Sequence, residues 1–105
     1  MSPEDPVLAE WNVLELLGTK VLGSRFQGRQ LRVLLQSQVD AGAPVRLDFT
    51  GIEVLTSAFA DECFGKLWDS VAHPQLRKFI HLKGLSGNNK AVFQFVIRER
   101  REPSR

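Results

Sequence analysis

The fold is decided in residues 47–68, LDFTGIEVLTSAFADECFGKLW, where a strand pattern changes to a helix pattern. Just before and within this segment, Val45, Leu47 and Phe49 alternate with Arg46 and Asp48, as expected of a strand with one buried face. From residue 57 onward the apolar positions are three and four residues apart, which is typical of one face of a helix. This predicted buried face consists of Ala60, Cys63, Phe64, Leu67, Trp68 and Val71.

The flanking segments have the same order of strand and helix. Residues 11–17 (WNVLELL) predict a first strand, and residues 20–22 predict a short second one. Residues 24–42 predict a helix that ends at a glycine, residues 78–84 a further strand, and residues 90–101 a last helix. We therefore expect an α/β domain with a single small sheet, right-handed βαβ crossovers, about four strands and about three or four helices.

The chain of 105 residues has the length of one domain. We expect a flexible N-terminal arm at residues 1–10, the folded domain at residues 11–101 and a C-terminal tail at residues 102–105. The net charge of +2 comes from residues 98–105, which hold four arginines and two glutamates. The rest of the chain is balanced, so the composition gives a general phosphate-binding surface little support.

The cysteine count and the hydropathy indicate a compartment. A single cysteine, Cys63, excludes an internal disulfide, which is typical of a reducing environment. The longest apolar runs are far shorter than the roughly 20 residues that span a bilayer. We expect a cytoplasmic protein without membrane contact.

Residues 45–68, VRLDFTGIEVLTSAFADECFGKLW, resemble the STAS-like family of small bacterial domains. The signature of that family is a strand ending in LDF-x-G-[IV], followed by SFADE-like residues and a helix. Residues 22–35, LGSRFQGRQLRVLL, are similar to the first-helix segment of the same family. The resemblance implies a STAS-like fold for nearly the whole chain and a regulatory role through protein–protein contact.

The same resemblance implies a site. In the anti-sigma-factor antagonists, the corresponding link reads aspartate, serine, serine, glycine, and a partner kinase of the anti-sigma type phosphorylates the first serine. Aligning the strand places that serine on Ser57, the aspartate on Thr56 and the glycine on Phe59. By resemblance, Ser57 is a candidate phosphorylation site, and an ATP-binding kinase of this type is the candidate partner.

The residues themselves leave two readings of Thr56 and Ser57 open. One of the two hydroxyls is expected to be the N-cap of the helix, because Ser and Thr are common caps. The other reading is phosphorylation of Ser57, which would add about −1.5 to −2 charges to the surface. The two readings are compatible.

We expect a partner to dock on residues 51–59 and on the start of the helix that follows. Phe59 comes just before the regular apolar positions, so it is expected to be partly exposed and to act as an anchor. Asp48 is expected to brace the loop after the central strand, and Gly51 to supply a turn conformation. The candidate partner-binding residues are Thr50, Gly51, Thr56, Ser57, Phe59, Asp61 and Glu62.

Arg25, Arg29 and Arg32 recur on one side of the first long helix. They form either a solvated face or a surface for an anionic partner. The second reading gives the alternative function, a small nucleic-acid-associated protein that uses these arginines and the basic tail.

No motif indicates catalysis. Ser57, His73 and Asp48 supply the residue types of a triad, but no nucleophile elbow surrounds them. Cys63 lies on the apolar helix face, and His73 and His81 have no metal-ligand spacing. We therefore predict a non-enzyme without metal or cofactor. Sheet edges permit a homodimer without selecting one.

Overall fold

The computed structural model describes residues 8–101, and most of the predicted arm and all of the predicted tail lie outside them. Three strands form a parallel sheet in the order β1, β3, β5, and two short strands, β2 and β4, form a second parallel pair. The strands are β1 (Ala9–Asn12), β2 (Val21–Leu22), β3 (Val45–Asp48), β4 (Val54–Leu55) and β5 (Ile80–Lys83). The helices are α1 (Val13–Leu17), α2 (Arg25–Asp40), α3 (Ser57–Ala60), α4 (Lys66–Ser70), α5 (His73–Phe79) and α6 (Gly87–Arg101), with a π-helical turn (Asp61–Gly65) between α3 and α4.

The α/β class is confirmed, but the expectation of a single sheet is wrong. Residues 8–101 contain five strands in two sheets, because β2 and β4 pair with each other and not with β1, β3 or β5. The central strand β3 sets the register of the larger sheet, with Leu47 beside Trp11 on one side and Leu82 on the other. None of the helices within residues 8–101 has both the length and the apolar character needed to cross a membrane.

The predicted strand at residues 11–17 is wrong in its second half. The strand begins earlier, at Ala9, and ends at Asn12, whose side-chain oxygen accepts a hydrogen bond from the Glu15 backbone N–H at 2.9 Å. This is an N-cap contact, so the chain turns into α1 at Val13. Gly18, at φ +70°, ends that helix.

The first long helix is confirmed, and the sequence explains both of its ends. Ser24 caps α2 through the Gln27 backbone N–H, and the Gln27 side chain returns to the Ser24 backbone, which completes a capping box. Gly42 follows the helix at φ +68°, a conformation that L-residues rarely adopt.

The second half of the chain contains a helix that the sequence pattern did not reveal. The helical segment that begins at Ser57 ends at Ser70, and α5 starts at His73 with Pro74 in its first turn. Proline is well suited there because its missing N–H would have no helical partner. The following strand accordingly begins at Ile80, two residues later than predicted.

The core lies between the sheets and the helices that cover them. Val45, Leu47 and Phe49 are at most 2% exposed, which confirms the predicted buried face of the central strand. The predicted helix face is also buried, with Trp68 half-buried. Among residues 8–101, the buried apolar residues are Val13, Leu22, Leu31, Leu35, Val45, Leu47, Phe49, Ile52, Leu55, Phe59, Ala60, Cys63, Phe64, Leu67, Val71, Leu76 and Val96.

Helix α2 packs directly against the π-helical turn, and Gly28 makes this close approach possible. A Cβ atom at Gly28 would lie 2.7 Å from the Phe59 carbonyl oxygen and 2.9 Å from the Glu62 Cβ atom. Only glycine allows two helical backbones to come so close at this position. The contact fixes which side of residues 57–65 faces the interior.

Candidate functional site

The site is built from the loop after β3, the second strand pair and the start of α3. In the loop, the Asp48 carboxylate accepts hydrogen bonds from the Thr50 hydroxyl at 2.6 Å and the Thr50 backbone N–H at 2.9 Å. These bonds hold the pKa of Asp48 below its usual value. The expected bracing role of Asp48 is confirmed, as is the turn role of Gly51, which has φ +90°.

Residues 52–55 are fixed to α6 by a side chain that the sequence analysis did not single out. The Asn89 amide oxygen accepts from the Leu55 backbone N–H at 3.0 Å, and its nitrogen donates to the Ile52 carbonyl at 3.1 Å. The Asn89 side chain thus satisfies one backbone N–H within β4 and one backbone carbonyl just before it. The link is therefore held in one position relative to α6.

The sequence left open whether Thr56 or Ser57 is the N-cap of the helix, and the structure assigns the cap to Thr56. The Thr56 hydroxyl accepts the Phe59 backbone N–H at 3.2 Å and lies 3.3 Å from the Leu22 carbonyl oxygen, so Thr56 is the N-cap. Ser57 is the first residue of α3 and is exposed. Among residues 8–101, its hydroxyl has no side-chain hydrogen bond, so the cap does not depend on it.

The structure contradicts two of the predicted partner-binding positions. Phe59 is fully buried, so it is a core residue and not a partly exposed anchor. Glu62 was expected among the partner-binding residues but is only 7% exposed. It lies in the π-helical turn that packs against α2, where Arg25 and Arg32 cover its carboxylate. Of the other predicted positions, Thr50, Gly51 and Ser57 are exposed, and Thr56 and Asp61 are half-buried.

Two of the three arginines on α2 bind these acidic residues and do not form a free anion-binding surface. Arg25 reaches Asp61 at 3.1 Å and Glu62 at 3.2 Å. Arg32 donates to the Glu62 carbonyl at 2.8 Å and to its carboxylate at 3.0 Å. Arg29 alone of the three is exposed without an ion pair among residues 8–101. Because Arg25 and Arg32 are paired with carboxylates, the nucleic-acid alternative receives no support from these arginines.

Around Glu62 lies an ionic cluster, which we define as Glu62, Asp61 and Asp69 with Arg25, Arg32, Lys66 and Arg100. Hydrogen bonds from Lys66, Arg25 and Arg32 lower the pKa of Glu62 from 4.5 to about 2. Burial alone would raise the pKa of Asp61, but the bonds from Arg100 and Arg25 outweigh it and keep that pKa low. The cluster joins α2, the π-helical turn, α4 and α6.

Ser57 lies in an open groove of about 280 Å³ between the starts of α2 and α3 and the middle of α6. We call this feature the Ser57 groove, and its lining residues are Arg25, Ser57, Ala58, Asp61, Phe95, Val96 and Glu99. Phe95 is 55% exposed and is the aromatic member of this lining. The regular apolar pattern of α6 gives no reason to separate Phe95 from the buried positions, so the sequence alone does not identify it.

The groups considered for catalysis are not brought together. Asp48 is bonded to Thr50, and the His73 ring lies against Trp68 with 4.1 Å between the ring centroids. Cys63 is fully buried, and burial raises the pKa of its thiol. Within residues 8–101, no group of three or more His, Cys, Asp or Glu side chains has the arrangement of a metal site.

Comparison with known families gives the class of the domain. Residues 27–90 match the family described as the STAS-like domain of unknown function (DUF4325). The chain belongs to this STAS-like family, as the strand-to-helix segment predicted, although the matched range is shorter than the predicted one. No curated protein and no solved structure matches the chain.

Proposed function

We propose that the chain is a non-catalytic, cytoplasmic regulatory module that binds a partner protein through the Ser57 groove. The observation that carries this proposal is that Ser57 and Phe95 line the same groove and are both exposed. Ser57 lies at the start of α3, and Phe95 lies on α6. An aromatic anchor next to polar groups is the composition of a protein-binding centre. The site thus replaces the predicted anchor, Phe59, by Phe95.

The position of Ser57 supports regulation by phosphorylation at the same place. Its hydroxyl is exposed, and Thr56 already caps the helix, so modification of Ser57 would leave the cap in place. A phosphate would bring about −1.5 to −2 charges into a groove lined by Asp61, Glu99 and Arg25, in which Arg25 is already paired with Asp61. The expected effect is a changed partner surface and not a more stable fold.

By family resemblance, the partner we propose is an ATP-binding kinase of the anti-sigma type. Such a partner would both bind the groove and supply the phosphoryl group. The bond formed would be between the Ser57 oxygen and the γ-phosphorus of ATP, with release of ADP and of the hydroxyl proton.

The test uses a purified kinase of this class from the source organism and measures its affinity for the chain by calorimetry. Ala58→Arg, which fills the groove, is expected to weaken binding about tenfold or more, because the long side chain occupies the space that the side chains of the partner need. The matched control is Gln30→Arg on the exposed side of α2, which is expected to leave the affinity within about twofold.

Mass spectrometry after incubation with the kinase, ATP and Mg²⁺ tests the regulation. We expect one added phosphoryl group on the wild type and none on Ser57→Ala. Binding that is unaffected by Ala58→Arg would contradict the docking site, and a phosphoryl group on another residue would contradict the regulation alone.

A further inference from the structure

A second concave site lies away from the Ser57 groove, between α4, α5, β5 and α6. It is an open cavity of about 110 Å³. Apart from Arg77, every lining side chain is aliphatic or aromatic, with Phe64, Trp68 and Phe93 as the aromatic members. A dry apolar cavity of about 150 Å³ is known to hold benzene. This cavity is smaller but open to solvent, so it has room for part of a single ring, with the rest of the ligand at its mouth.

One lining residue has an unused hydrogen-bond donor. The indole nitrogen of Trp68 is buried and has no hydrogen-bond partner among residues 8–101. The ring itself is supported by His73, which lies against it. Buried indole N–H groups normally have an acceptor, and one without a partner is destabilising.

Arg77 supplies a second donor and a charge. It is exposed although it lines the cavity, so it lies where the cavity meets solvent. It forms no ion pair with any residue in the range 8–101, in contrast to the arginines of the ionic cluster. A guanidinium group without a carboxylate is suited to bind one from a ligand.

We propose that this cavity binds a small aromatic carboxylate. The ring occupies the space against Phe64, Trp68 and Phe93, and the carboxylate pairs with Arg77 at the mouth. Trp68 contributes its ring to the wall of the cavity, so its indole N–H resonance reports on a ring bound there. The proposal concerns a different site from the Ser57 groove and holds whether or not the groove binds a kinase.

The test is a titration of the ¹⁵N-labelled full chain with sodium benzoate, followed through the indole N–H resonances. The chain has two tryptophans, Trp11 and Trp68, and Trp11→Phe assigns the resonance of Trp68. We expect a saturable shift of the Trp68 resonance with a Kd of about 1 mM, as befits so small a ligand. Acetate, which has the charge without the ring, is expected to give no saturable shift.

Two variants test the charge at the mouth and the apolar space of the cavity separately. Arg77→Gln is expected to weaken benzoate about tenfold and to leave the binding of benzyl alcohol, a neutral ring compound, within about twofold. Ile97→Phe, which places a ring in the cavity, is expected to abolish both, with circular dichroism checking that the variant folds. Absence of a Trp68 shift, benzoate binding that resists both variants, or benzyl alcohol binding as tightly as benzoate would overturn the proposal.

Discussion

The two sides of the helical segment at residues 57–65 have opposite roles, although their residues alternate along one short stretch of chain. On the buried side, Phe59 and Glu62 face α2, one in the apolar core and the other in the ionic cluster. On the exposed side, Ser57 and Ala58 line a groove with Phe95. The comparison shows that residue type alone does not reveal the role. Phe59 lies on the buried side and Phe95 lines the exposed groove, so these two phenylalanines differ only in their surroundings.

The buried side also shows how a carboxylate can be kept almost free of solvent. Glu62 is paired with three cations, and its backbone carbonyl accepts from Arg32 as well. A buried charge is tolerated when it is paired and hydrogen-bonded in this way. Arg25 belongs to both sides, because it binds Glu62 and also lines the Ser57 groove.

The largest expected effect comes from Phe59→Ala. Removing a fully buried aromatic ring leaves a cavity in the core, so we expect the free energy of unfolding to fall by about 3–5 kcal/mol. Guanidinium chloride denaturation followed by circular dichroism measures this. A loss below about 1 kcal/mol would show that Phe59 does not belong to the core and would remove the distinction between the two sides.

The second largest effect is expected from Gly28→Ala. The new Cβ atom would lie 2.7 Å from the Phe59 carbonyl oxygen, so α2 or the π-helical turn must move apart. We expect a loss of about 1–3 kcal/mol in the same denaturation experiment.

Gly23→Ala is the matched control for that variant. The nearest atoms to a Cβ at Gly23 are at 3.8 Å and 3.9 Å, which is ordinary van der Waals contact. Its free energy of unfolding should stay within about 0.5 kcal/mol of the wild type. Equal losses for both glycines would show that the close approach of α2 at Gly28 does not determine the result, because the backbone entropy of Gly→Ala alone favours the folded state.

The third prediction concerns pH and Glu62→Gln. Folding lowers the pKa of Glu62 from 4.5 to about 2, so its contribution to stability is complete above about pH 4.5 and is lost as the pH falls toward 2. The variant lacks this contribution at neutral pH and should lose less stability than the wild type between pH 5 and pH 3. Denaturant titrations at several pH values measure the two slopes.

Glu99→Gln, an exposed glutamate on α6, controls for the loss of a carboxylate in general. We expect its stability to fall with decreasing pH as the wild type does. If Glu62→Gln also retained the wild-type slope, the acid sensitivity would have to come from other groups, such as Asp61 or Asp48, whose pKa values are also lowered.

Much of this architecture was predictable from local patterns. Alternation gave the buried face of β3, spacing gave the face that begins at Ala60, and Ser24 and Gly42 marked the ends of α2. The switch from β1 to α1 also had a signal, since Asn12 with Glu15 three residues later resembles a capping box. The apolar residues continue across Asn12 to residue 17, however, and their pattern predicts one uninterrupted strand.

The remaining features depend on tertiary contacts that no local pattern contains. The burial of Glu62 depends on its hydrogen bonds with Arg25 and Arg32 of α2, which are 37 and 30 residues away in the sequence. The burial of Phe59 follows from the approach of Gly28, which is distant in sequence. The groove needs α6 beside α3, so Phe95 could be linked to Ser57 only once the fold was known.

The smallest expected effect on stability, and the sharpest test of the comparison, is Phe95→Ala. It makes the same chemical change as Phe59→Ala on the other side of the segment. Because Phe95 is 55% exposed, we expect the free energy of unfolding to change by about 0.5 kcal/mol or less. Binding of the proposed kinase, however, should weaken about tenfold or more, because an exposed aromatic anchor contributes mainly in the complex.

Phe26→Ala is the control for Phe95→Ala, because it also removes an exposed aromatic side chain. Phe26 is 65% exposed on α2 and does not line the Ser57 groove, so its removal should leave the affinity for the kinase nearly unchanged. If Phe26→Ala weakened binding and Phe95→Ala did not, the partner would dock on the outer face of α2. The exposed side of residues 57–65 would then lose its proposed role, while the buried side would keep its role in stability.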